Sequence, residues 1–426
     1  MTEANLVPML LVLAVATVVQ YSLIRKRLAS LADPLTYFVL TSSFSLALGS
    51  FVSDDPWLVF RLYVYFVSFY MGFAAGAGKL QRKFHILRLD PKMQQFRAVV
   101  VTCALVYVAL NAMMWLQSGV IVLASDPSLE KSEAYAGGLG FVRRFNWSVG
   151  AFALIASLYW FLWERRVSSA LTITAVVLTT LTGGSKSALL PAVFAAGLYI
   201  ARPFASHDKT DHSIRLRRAI PLLVGFAFVP VMFVLTAENG TLKGALDALV
   251  VRLFYFGDVM LYWGQETVRS RFSDLGPLDY LKNTLGSVLG ALRLIPYDTP
   301  IGNQFVQQTL PAGFEFSEFL GPNLPFYVRG ELYFGILLAP VHSFFVGFVF
   351  GRLRRCFMRY RGRSLLAYSM LAFLVVISLA LPAEEGLAVG QLFDYALFFL
   401  PIYAMATYLS VPLRHAQPRA GTAGLP

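Results

Sequence analysis

Apolar runs of about eighteen residues or more recur from one end of this chain to the other, broken by short polar connectors. Crossing the ~30 Å hydrocarbon layer of a bilayer takes a helix of that length. Eleven spans fit the pattern: 6–24, 35–53, 57–78, 98–118, 146–163, 167–183, 187–202, 219–237, 326–350, 364–382 and 388–410. In lipid the backbone must satisfy its own amides and carbonyls, so each span is expected to be a helix. The pattern predicts an all-α polytopic membrane protein, one integral domain over residues 1–426. The least regular part is 167–202, where Gly183-Gly184 and Pro191 interrupt the run. Two spans or one kinked element both satisfy it. The first run, Leu6 to Ile24, is followed rather than preceded by its basic residues, Arg25-Lys26-Arg27, and no small-residue cleavage site follows. It reads as a retained span and not as a secretory signal.

One stretch, Glu238 to Arg329, breaks the rhythm between spans eight and nine. Two amphipathic helices can be read within it. Leu242, Ala245, Leu246, Leu249, Val250, Leu253 and Phe254 follow helical spacing with Arg252 at the border of the stripe. Leu278, Leu281, Leu285, Val288, Leu289 and Leu292 repeat it behind Pro277, a residue suited to a helix start. Gly302 to Asn323 reads as an irregular loop, rich in aromatics and too long for a simple connector. The Ala/Gly/Pro-rich tail at 412–426 is expected to be disordered.

Composition and charge sharpen this picture. A soluble chain carries about 25% charged residues; this one carries 14%, with 57% hydrophobic. The net charge of +12 would suit nucleic acid only on a clustered soluble face, so no nucleic-acid partner is expected. In a membrane protein the excess reports orientation. With the N-terminus outside, the inner segments 25–34, 79–97, 164–166, 202–218, 351–363 and the tail hold 24 of the 36 lysines and arginines. The outer connectors Asp54-Asp55 and Glu384-Glu385 are acidic. The expectation is N-terminus outside, C-terminus inside, and 238–329 as a large outer loop. Cys103 and Cys356 give no disulfide framework.

That orientation leaves Arg143, Arg144, Lys186, Arg252, Arg269, Arg271, Arg293 and Arg329 on the outer side, against the usual bias. Guanidinium forks match phosphate oxygens, so one reading is an anion site. The other is solvated loop charges paired with Asp247, Asp258, Glu266 and Asp274. Arg61, one turn inside span three, reads as snorkelling outward. Glu331 reads first as a partner of Arg329 and second as a general base. Asp258, between Phe256 and Tyr262, is the other carboxylate of interest. His342 reads as a satisfied core residue. No spacing offers metal ligands, and no metal or cofactor is expected.

Three features together resemble the O-antigen polymerase (Wzy-type) family of bacterial membrane glycosyltransferases. Thr182-Gly183-Gly184-Ser185-Lys186-Ser187-Ala188-Leu189-Leu190 is similar to the family's Thr-Gly-Ser-Arg/Lys-x-Ala-Leu-Leu stretch. Arg329-Gly330-Glu331-Leu332-Tyr333-Phe334-Gly335, continuing to Gly347 and Gly351, is similar to its Gly-Glu-x-Tyr-x-x-Phe-Gly segment, though shorter between Tyr333 and Gly335. The third is the layout of many spans with a large outer loop before the late ones. The likeness covers about Val167 to Arg363. It implies a GT-C-like, metal-independent enzyme of the bacterial inner membrane. Such an enzyme polymerises undecaprenyl-diphosphate-linked oligosaccharide repeat units at the periplasmic face, in O-antigen or exopolysaccharide synthesis. Lipid-linked substrates, membrane lipids and a chain-length regulator would be its partners. Catalytic candidates are Arg252, Glu331 and Asp258; Arg143, Arg144, Lys186, Arg293 and Arg329 are candidates for holding diphosphate or glycan. The alternatives are an O-antigen ligase-like glycosyltransferase and a lipid-linked oligosaccharide flippase. Ligases are described with a histidine in the outer loop, and this loop has none.

Overall fold

The computed structural model describes residues 3–53, 55–78, 86–87, 93–124, 127, 130, 134, 140–183, 187, 189–205, 213–296, 300–309 and 321–410. Lys186, residues 310–320 of the expected loop and the tail after Ser410 lie outside these residues, as does the side chain of Arg252.

Among the described residues the secondary structure is helical, and no strand is present beyond one isolated bridge between Leu87 and Phe204. The helices are α1 (Glu3–Ile24), α2 (Pro34–Val52), α3 (Pro56–Ala77), α4 (Met93–Ser118), α5 (Gly140–Phe145), α6 (Ala151–Glu164), α7 (Val167–Thr182), α8 (Leu190–Ala201) and α9 (Ser213–Asn239). They continue as α10 (Leu242–Phe254), α11 (Val259–Trp263), α12 (Glu266–Arg271), α13 (Pro277–Ala291), α14 (Ile301–Thr309), α15 (Phe326–Met358), α16 (Leu365–Ile377) and α17 (Glu385–Ser410). Eight helices among the described residues are long and apolar enough to cross a membrane. Three further apolar helices, Val167–Thr182, Leu190–Ala201 and Leu365–Ala380, are shorter. Helix α7 has 16 residues and α8 has 12, about 24 and 18 Å at 1.5 Å per residue, against a ~30 Å layer. The break between them falls at Gly183, and Pro191 opens α8 in its first turn, where a missing amide costs nothing.

The amphipathic helices expected in 238–329 are present as α10 and α13. The expected irregular loop is helical at its start, as α14. There Phe305 is fully buried between Trp263 and Phe272, at ring-centroid distances of 5.8 and 4.8 Å. That burial overrides the weak helix propensity of the Gly302-Asn303 start.

The tightest crossing joins α3 to α15. A Cβ on Gly72 would come within 1.9 Å of the Phe344 carbonyl, and one on Gly76 within 2.2 Å of that of Phe348. In return Gly347 meets the Phe69 carbonyl at 2.1 Å and Gly351 that of Phe73 at 2.5 Å. Glycines four apart on each helix let the backbones touch, which is how helices associate where lipid removes the hydrophobic drive.

Helix α15 is not straight. Gly335 has φ 71 and ψ 172, a region open essentially to glycine. The chain folds back there, so that a Cβ on Gly330 would meet Ala339 and His342 at 3.2 and 3.1 Å. Residues 326–334 thus form a short arm packed antiparallel to the long helix 336–358. Phe326 stacks on Phe69, 4.7 Å between centroids and midway along α3, so the arm reaches well into the bundle. The expected span over 326–350 lies in a helix long and apolar enough to cross a membrane, but the helix is broken at Gly335, with 326–334 packed back on the part that follows. Such backbone is tolerated at membrane depth only where protein surrounds it.

The segments with a shared charge sign meet at one end of the bundle. Arg354 donates to both carboxylate oxygens of Asp33, at 2.9 and 2.7 Å, and to the Arg27 carbonyl at 2.8 Å. Arg27 reaches the Gly78 carbonyl, Leu87 pairs with 203–205, and Arg202 donates to the Tyr360 carbonyl. A second cluster joins Asp55, Arg61, Glu331 and Arg269, through pairs at 3.4 to 4.0 Å.

Candidate functional site

A cavity of about 350 Å³ lies inside the bundle, beneath the segment that carries Asp258. Helix α2 supplies Tyr37, Thr41 and Ser45 to its wall, the arm supplies Asn323 and Tyr327, and α17 supplies Gln391. Ser187 and Leu190 line it from the 182–190 stretch. Trp147 lines it too, from a π turn over Asn146–Gly150 between α5 and α6. That wide turn is held by reciprocal amide bonds between Asn146 and Asn111, at 3.0 and 3.1 Å. Such bulges cluster at functional sites because they re-aim side chains from an otherwise regular helix.

Asp258 is the one acidic side chain on the wall. Its segment is seated by the Ser45 hydroxyl, which donates to the Phe256 carbonyl at 2.5 Å, and by Gly257, whose missing Cβ lets the chain approach Ser45. Burial pushes its carboxyl up to about 7, because withdrawing the group from water disfavours the charged form. Among the described residues no ion pair reaches it. A carboxylate poised near neutrality in a cavity can accept a proton from a hydroxyl, which an ordinary aspartate does poorly.

The other sequence candidates fall in three places around this cavity. Arg143 holds its guanidinium 4.4 Å over the Trp147 ring, directly behind the cavity wall. Arg144 pairs with Asp394 at 2.9 Å and donates to the Ser287 carbonyl at 2.9 Å, tying α5 to α17 and α13. Arg252 belongs to α10, six residues before Asp258. Arg293 sits at the exposed end of α13 with φ 56, away from the cavity wall.

Two pairings differ from the sequence expectation. Glu331 pairs with Arg61, at 3.4 Å, and accepts from the Tyr65 hydroxyl at 2.8 Å. Residues 329 and 331 are two apart on one helix and point to opposite sides, so they cannot meet. Arg61 is therefore a half-buried partner of Glu331 that also reaches Asp55 in the connector before α3, at 4.0 Å. Arg329, fully buried, is held instead by Glu384 and by Glu385 at 3.6 Å, with Asn283 accepting at 3.3 Å. His342 is a core residue with a partner, as expected: its Nε2 lies 3.1 Å from Glu385 Oε1. Tyr280 donates to the other Glu385 oxygen at 2.6 Å. Arg329 is sealed inside this network and does not reach the cavity wall.

Sequence reading missed Glu384, Glu385 and Asp394 as partners and Trp147, Tyr327 and Gln391 as lining residues. The acids were findable, since an ionisable residue within or beside a span is rare enough to demand a role. The lining residues carry no such signal. Among the described residues no group of three or more histidine, cysteine, aspartate or glutamate side chains is placed to hold a metal ion.

No protein-family model matches the chain, and comparison with curated proteins and with solved structures yields no match. What the fold and site define is a class: a helical, multi-pass membrane protein with a cavity on whose wall a half-buried aspartate stands.

Proposed function

We propose that the protein is a polysaccharide polymerase, moving a growing glycan from a polyprenyl diphosphate onto the sugar end of a lipid-linked repeat unit at the outer membrane face. The observation that carries this reading is Asp258, a carboxyl pushed up to about 7 on the wall of a cavity that Ser187 and Leu190 of the first resembling stretch also line, with Tyr327 just before the second. In the step proposed, Asp258 accepts the proton of the acceptor hydroxyl. The freed oxygen bonds to the anomeric carbon of the donor glycan. The bond from that carbon to the diphosphate oxygen breaks, and the diphosphate leaves as an anion on its lipid.

Charge developing on the leaving group needs a cation, and basic groups in a dry site stabilise such charge strongly. Arg143, behind Trp147, and Arg252, on the helix leading to Asp258, are the side chains assigned to it. Lys186 precedes Ser187 of the wall in sequence and is assigned to the same phosphates. Arg144, Arg329 and Arg293 are assigned no contact with substrate, and Glu331 no catalytic role, since Arg61 already holds it. The orientation, eleven spans and inner-membrane location belong to this proposal.

A second reading, transport of a lipid-linked oligosaccharide, draws on one observation, the broken helix at Gly335. Discontinuous helices are common at transporter binding sites. The two readings separate in cells. With Asp258→Asn in place of the wild type, the first expects surface glycan reduced to single repeat units. The second expects surface glycan to disappear and lipid-linked units to collect on the inner face. Wild-type chain lengths at normal protein levels would remove Asp258 from the reaction.

A further inference from the structure

The arm that forms one wall of the cavity is held at its start by a single carboxylate. Glu384 Oε2 accepts the Leu324 amide at 2.9 Å, just before the arm begins. Its other oxygen takes the Arg329 guanidinium, one turn into the arm. Between these two points the Phe326 amide donates to the Pro382 carbonyl at 3.0 Å. Pro382 and Ala383 line the cavity, as do Phe326 and Tyr327, so the clamp joins two wall segments distant in sequence.

No neighbour can take over this role. Glu385 is the other anion near Arg329, at 3.6 Å, but its carboxylate is already shared with Tyr280 and His342. Asn283 offers a neutral oxygen at 3.3 Å. Without Glu384 the Leu324 amide loses its acceptor, and Arg329 is drawn toward Glu385 alone, away from 382–383.

We infer that Glu384 is a positioning residue: it holds the re-entrant arm against the cavity, and the wall that faces Asp258 exists only while that carboxylate is in place. Its consequence for activity rests on the cavity being the reaction site, but the geometry does not. Ser45, 5% exposed, shares the cavity wall with Tyr327 of the arm and lies against the 256–257 segment, so the labelling rate of a cysteine at 45, compared within the Ser45→Cys background, reports whether the wall is closed. The chain's own cysteines are the references: Cys103 is buried and stays unreactive while the bundle is folded, and Cys356 is exposed.

The test labels full-length Ser45→Cys protein in membrane vesicles with a water-soluble maleimide and reads each cysteine by mass spectrometry. Adding Glu384→Ala is expected to speed labelling at 45 about tenfold, as local opening of one segment does. Cys103 should stay protected and Cys356 unchanged. Glu384→Gln, which keeps an acceptor for Leu324 but not the charge for Arg329, is expected to fall between. Labelling at 45 no faster than in the parent, with Cys103 protected, overturns the clamp. So does exposure of Cys103 in both variants, which would show a role in the whole fold. Faster labelling with wild-type glycan lengths keeps the clamp and takes the reaction out of the cavity. Unchanged labelling with lost chains leaves the cavity as the reaction site and removes Glu384 from the wall.

Discussion

At the scale of single residues, the account turns on which charged groups are already engaged and which are not. In the proposed reaction Asp258 is the base, because burial raises it without a compensating ion pair among the described residues. Acting as a base, it must be ionised. With a carboxyl titrating at about 7, the ionised fraction climbs from roughly a tenth at pH 6 to nine-tenths at pH 8. Polymerisation by the purified protein should rise across that interval, and Asp258→Asn should cut it by about 10²–10⁴-fold. The same proposal assigns Arg143 and Arg252 to the leaving group, so alanine at either should cost about 10²-fold or more in rate, read as shortened glycan. Arg329 is the contrast. Arg329→Ala leaves Glu384 without its cation in a buried network, a change that costs about 3–5 kcal/mol, measurable as a lowered unfolding temperature in detergent. Asp258 was legible in the sequence as a carboxylate among aromatics. The partners of Glu331 and Arg329 were not, because Arg61 and Glu384 lie far off along the chain and only the packing of α3, α15 and α17 brings them close.

At the scale of elements, hydropathy found the helices and mistook one direction of travel. The apolar run at 326–350 has the length and composition of a span, and nothing in its periodicity announces that the chain reverses at Gly335. A backbone reversal needs one residue with a permitted φ, and a lone glycine in an apolar run is a weak mark of it. The strain itself is testable. Nothing lies within 4 Å of a Cβ built at Gly335, so Gly335→Ala isolates the cost of the backbone conformation, about 1–3 kcal/mol of stability. At the α3–α15 crossing the cost is steric instead. Gly347→Ala drives a methyl into the Phe69 carbonyl and is expected to destabilise by about 1–3 kcal/mol, with alanine at Gly276, where an added Cβ meets nothing within 4 Å, costing less. The amphipathic helices α10 and α13 were legible because their stripes are regular. The start of α14 was hidden by Gly302 and Asn303, whose poor propensity is outweighed by the burial of Phe305.

At the scale of the whole molecule, charge counting grouped the connectors correctly onto shared ends, since Asp33, Gly78, Leu87, Arg202 and Arg354 do meet. It could not reveal the cavity, whose wall draws on α2, the π turn, the arm and α17. Such a space is a property of assembly and has no counterpart in any one stretch. The proposed orientation puts exposed Cys356 on the cytoplasmic side, so an impermeant thiol reagent should label it in inverted vesicles and not in intact cells.

The most direct measurement of the central claim is reconstitution. The purified protein would be placed in liposomes with polyprenyl-diphosphate-linked repeat units, and the products resolved by length. The account predicts a ladder of lipid-linked glycans that grows one repeat at a time and vanishes with Asp258→Asn. Single repeat units that stay unjoined but cross the bilayer faster than in protein-free liposomes would contradict it.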